Sequence, residues 1–86
     1  MPRLCAFYGI VIYMYWRDHG PPHFHAEYGD REALIVIEDG RVFAGSLPPR
    51  ALRLVREWHR LHADELREAW DRAVRREDPG SIEPLP

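Results

Sequence analysis

A single cysteine, Cys5, occurs in the 86 residues, which excludes an internal disulfide and any zinc site built on several thiolates. Lysine is missing altogether. All 12 basic residues are arginine, a usage for which a GC-rich genome is the bland cause and phosphate or carboxylate recognition the sharper one. The longest apolar stretch, Ile10 to Trp16, has the length of a strand and falls far short of the roughly 18 residues of a membrane span; no signal-peptide core is present either. With a formal charge of −2 and a pI near 6.2 there is no global basic field to draw in nucleic acid. Repeats and low-complexity tracts are also lacking. What remains, 45% hydrophobic and 30% charged residues, suits one small folded domain with a modest core. The expectation is a cytoplasmic bacterial protein. Residues 1–78 form its single domain, and 79–86, "PGSIEPLP", form an extended or loosely attached tail.

Periodicity gives the organisation. "AFYGIVIYMYW" reads as a first strand, with Gly9 marking a bulge. Pro21 and Pro22 break it, because neither can donate a ladder hydrogen bond. "HFHAEY" is a second strand, Gly29-Asp30 a two-residue turn, and "REALIVIE" a third strand. Asp39-Gly40 is a second two-residue turn and "RVFAGS" a fourth strand. From "LPPRALRL" onward apolar residues recur at three- and four-residue steps, from Ala51 through Val55, Trp58 and Leu66 to Ala73. The fold class is therefore α+β: a small antiparallel β-meander of about four strands packed on one long C-terminal helix, or on a helix broken near His62-Ala63-Asp64.

Turn length sets register. The first turn places Ala26 opposite Ala33 and Phe24 opposite Ile35; the second places Ile37 opposite Val42 and Ile35 opposite Ala44. One face then carries Phe24, Ala26, Ala33, Ile35, Ile37, Val42 and Ala44, suited to a helix. The other carries His23, His25, Glu27, Glu32, Leu34, Val36, Glu38, Arg41 and Phe43, with its histidines projecting away from the helix. Leu34, Val36 and Phe43, with Arg41 beside them, make a patch that a homodimer, a partner protein or a substrate would cover.

"FYGIVIYMYWRDHGPPHFHAEYG", "ALIVIEDGRVFAGSLPPRALRLVREWHRLHADEL" and the closing "IEPL" resemble the small bacterial domain of unknown function catalogued as number 4160. "PPHFHA" and "LPPRAL" make the resemblance specific, and it covers essentially the whole chain. It implies a short stand-alone bacterial protein, often encoded beside another small domain of unknown function, and in some such pairs the toxin of a toxin–antitoxin module. It brings no catalytic residues with it.

Three readings of the histidine-rich strand stay open. His23 and His25 on one face, completed by His19 or Glu27, could hold a divalent transition metal such as zinc. Alternatively, His23 and His25 serve as base and acid toward RNA, with Glu27 orienting one ring and Arg17, Arg31 or Arg41 facing the phosphate. In the third reading the histidines make ordinary hydrogen bonds, and the patch beside them seats a cognate small protein or a second copy of the chain. His59 and His62 read as packing or boundary residues, Trp58 and Trp70 as core or its border, and Cys5 as an unreactive thiol.

Overall fold

The run expected as one first strand folds as two. The computed structural model describes residues 3–15 and 20–86, and in it β1 (Arg3–Phe7) and β2 (Ile10–Tyr13) form a hairpin through Tyr8 and Gly9. Both turn residues have positive φ, 50° and 80°, the sign pattern of a type I′ turn. Gly9 thus turns the chain rather than bulging it. The sheet continues through β3 (His23–Tyr28), β4 (Arg31–Val36) and β5 (Val42–Gly45), antiparallel throughout and in sequence order.

Between β3 and β4 the expected register holds: Tyr28 faces Arg31, Ala26 faces Ala33 and Phe24 faces Ile35. Between β4 and β5 it does not. Ile35 faces Val42 and Leu34 faces Ala44, so Phe43 is an extra, bulged residue. The connection is a five-residue loop, 37–41, closed by Val36 N–H donating to the Arg41 carbonyl at 2.9 Å and Gly40 N–H donating to the Val36 carbonyl at 2.8 Å. Ile37, at the start of the loop, is buried; its N–H donates to the Pro22 carbonyl at 2.9 Å, and its own carbonyl accepts from His59 Nε2 at 2.5 Å. Because of the bulge, Ala44 leaves the core face and is exposed.

The helical segment is not one long helix but two, α1 (Pro49–Leu61) and α2 (Ala63–Val74), divided at His62, where the sequence allowed a break. They meet at His62, whose φ of −127° departs from helical geometry. Its Nδ1–H donates to Glu65 Oε1 at 2.5 Å. Pro49 at the first position of α1, and Asp64 and Glu65 in the first turn of α2, are where proline and acidic residues suit a helix start. On one sheet face Trp58 lies 5.6 Å, centroid to centroid, from both Phe7 and Phe24. Ile12, Phe24, Ile35, Val55, Trp58 and Leu66 are fully buried there.

The tail is extended, but it is fastened to the core rather than loosely attached. Ile82 and Leu85 are buried. Ile82 N–H donates to the Leu4 carbonyl at 3.1 Å, Trp58 Nε1–H to the Glu83 carbonyl at 2.8 Å, and Arg72 Nη2 to the Pro79 carbonyl at 2.7 Å.

Candidate functional site

Strand alternation puts His23, His25 and Glu27 of β3 on the face opposite Phe24 and Ala26. Tyr13 of β2 and Leu34 of β4 flank His25 across the ladder. His23 is buried, and its Nδ1–H donates to the Pro21 carbonyl at 2.8 Å. Phe43 packs edge-on to this ring at 4.9 Å, while His25 and Trp70 each approach to 5.3 Å. Trp70 belongs to α2. His23 therefore does not project away from the helical layer as expected; the second helix reaches it and makes it a core histidine.

His25 sits nearer the surface. Its Nδ1 lies 3.2 Å from Glu32 Oε2, and the Glu32 side chain keeps 41% of its surface in solvent. Tyr15 stands edge-on to the ring at 4.4 Å. The sequence offers Glu27 as the carboxylate for one ring, whereas the carboxylate within hydrogen-bond reach of His25 is that of Glu32. Register explains it: His25 faces Leu34 and Glu27 faces Glu32, so Glu32 is the diagonal neighbour of His25, within reach of a long side chain. A carboxylate holding one ring nitrogen is what an imidazole needs to exchange a proton at the other.

Of the expected contact patch, Leu34 is half-buried, Phe43 is 39% exposed and Val36 is buried. Arg41 stands at the β4–β5 loop, its Nε 3.7 Å from Asp39 Oδ2. Arg31, a candidate phosphate ligand, donates from Nη2 to Ser46 Oγ at 3.2 Å. His19 and Arg17 lie outside the described residues. Among the described residues no three His, Cys, Asp or Glu side chains gather into a group that could hold a metal ion, so His23, His25 and Glu27 do not form one.

The sequence reading missed Tyr15 and Trp70 as neighbours of the histidines. Tyr15 carried a signal, being spaced two residues from Tyr13 beside the His strand. Trp70 reads from its spacing as core or its border, but nothing in the sequence shows that it meets His23. His59 and Trp58 are core residues, as expected. Burial pushes the Cys5 thiol up to about 12, with Arg3 drawing it slightly down, in keeping with an unreactive thiol. No helix among the described residues is long and apolar enough to cross a membrane.

No curated protein and no solved structure matches the chain. The model of the family described as domain of unknown function (DUF4160) matches residues 9–71. That span runs from the β1–β2 turn into α2 and takes in His23, His25, Glu32, Phe43 and Trp70. The chain belongs to this family.

Proposed function

We propose that the protein works through a second protein, as one member of a bacterial toxin–antitoxin-type pair, and that the partner seats on the second sheet face. The observation that carries the reading is Phe43. It is the bulged residue of an edge strand, 39% exposed, with its ring braced by the buried His23. A rigid aromatic beside half-buried Leu34 is the kind of anchor on which interfaces concentrate their binding energy. An edge strand adds unpaired backbone groups for a partner to meet. The toxin–antitoxin part rests on what the family resemblance implies.

RNA cleavage is a second reading, favoured by the His25–Glu32 pair. Against it, Glu27 directly faces Glu32 on the same surface, and two carboxylates repel a phosphate. A metal site on His19, His23 and His25 and a simple homodimer are separated by the same preparation, through bound zinc and sedimentation as two chains.

The test expresses the protein alone in a bacterial host, and then together with the small protein encoded beside it. Growth arrest alone, relief on co-expression, and loss of that relief with Phe43→Asp support the proposal. Normal growth and no complex with the neighbouring gene product contradict it. If arrest also disappears with His25→Ala in a folded variant, the chemistry of the RNA reading gains over docking alone.

A further inference from the structure

On the α1 side of the sheet, opposite His25, a pocket opens between the β1–β2 turn and the first turns of α1. Ile10 and Ala51, both buried, form its floor; Tyr8, Tyr28 and Leu54 wall it, and Arg50 stands at its rim. The space is about 60 Å³. A water needs roughly 10–15 Å³ by this kind of measure, whereas sites that enclose whole small molecules run to roughly 300–1,000 Å³. The pocket is therefore sized for one aliphatic side chain of something larger.

Its walls are held in place. Tyr8 adopts φ 50°, a conformation that a bulky residue rarely takes, and its hydroxyl donates to the Pro86 carbonyl. Its ring is nonetheless 58% exposed. Tyr28 lies against Gly9, where an added Cβ would come within 3.3 Å of the ring. Arg50 is the one charged side chain among the residues that line the pocket. No acidic residue lies in the first turn of α1, no side chain caps it, and among the described residues no carboxylate pairs with Arg50. The positive end of the helix dipole adds to the guanidinium.

We infer that this pocket docks an acidic, aliphatic peptide segment of a partner protein, with one branched side chain entering between Tyr8 and Tyr28 and a flanking carboxylate meeting Arg50. The inference is independent of the second-face reading, since it involves the opposite side of the sheet.

The test titrates the full chain, labelled for amide NMR, with a blocked peptide of alternating leucine and aspartate. Saturable shifts centred on Gly9, Tyr28, Ala51 and Leu54 are expected. Arg50→Glu should weaken binding by about fivefold or more, the scale of one exposed ion pair, while Arg67→Glu leaves it unchanged. Tyr28→Ala should weaken it through the wall without touching the charge. Absence of saturable shifts at millimolar peptide overturns the inference, as does equal binding of a leucine–lysine peptide. Equal affinity for free 3-methylbutanoate also overturns it, by making this a small-carboxylate site.

Discussion

Under α1 the sheet presents Phe24, Ala26, Ala33 and Ile35 with no exposed surface, whereas across the same strands His25, Leu34 and Phe43 keep part of theirs in water. The first face is closed by apolar packing onto Trp58. The second is assembled from imidazole rings, each tied by a hydrogen bond and a ring contact. Apolar burial sets stability almost without regard to orientation, while hydrogen-bonded rings fix direction. One face holds the fold together; the other holds side chains in position at a surface.

Substitutions can break or sharpen that contrast. Trp58→Ala should cost about 3–5 kcal/mol in chemical denaturation, the scale for a deleted buried aromatic. It should also loosen the tail around Glu83, whose carbonyl loses its donor. The next effect is chemical. Burial raises the Cys5 thiol from 9.0 to about 12, so iodoacetamide at pH 8 should modify the native protein at least about tenfold more slowly than the unfolded chain. The sign for stability follows from the same shift. The folded state keeps its proton longer, so the contribution is complete below pH 9 and fades as the pH rises toward 12; Cys5→Ala should flatten part of that alkaline decline.

His59→Ala strands the Ile37 carbonyl inside the core and should cost about 1–3 kcal/mol, read by thermal unfolding. The smallest effect belongs to the second face. Glu32→Gln should change stability by less than about 1 kcal/mol, since the carboxylate is 41% exposed. Any larger consequence of that variant should appear in growth arrest or partner binding.

The contrast was only partly legible in the sequence. Gly29-Asp30 fixed the β3–β4 register because its turn length matched the alternation of the strands on both sides. Tyr8-Gly9 hid the first hairpin, since tyrosine is a poor residue for positive φ and the apolar run continued across it. Asp39-Gly40 misled in the other direction. The bulge at Phe43 shifts the β4–β5 register, and the connection closes through Val36 and Arg41 rather than as a two-residue turn. The His25–Glu32 pair could be worked out from the β3–β4 register once diagonal neighbours were considered. The burial of His23 could not, because it depends on where α2 brings Trp70.

The most direct test of the two-face account is Phe43→Asp, measured for both unfolding free energy and affinity for the small protein encoded beside it. The account predicts a stability loss of about 1–2 kcal/mol, for the part of the ring that is buried against His23, and affinity reduced by about tenfold or more, the scale of an interface anchor. A stability loss comparable to that of Trp58→Ala, or unchanged affinity, would contradict it.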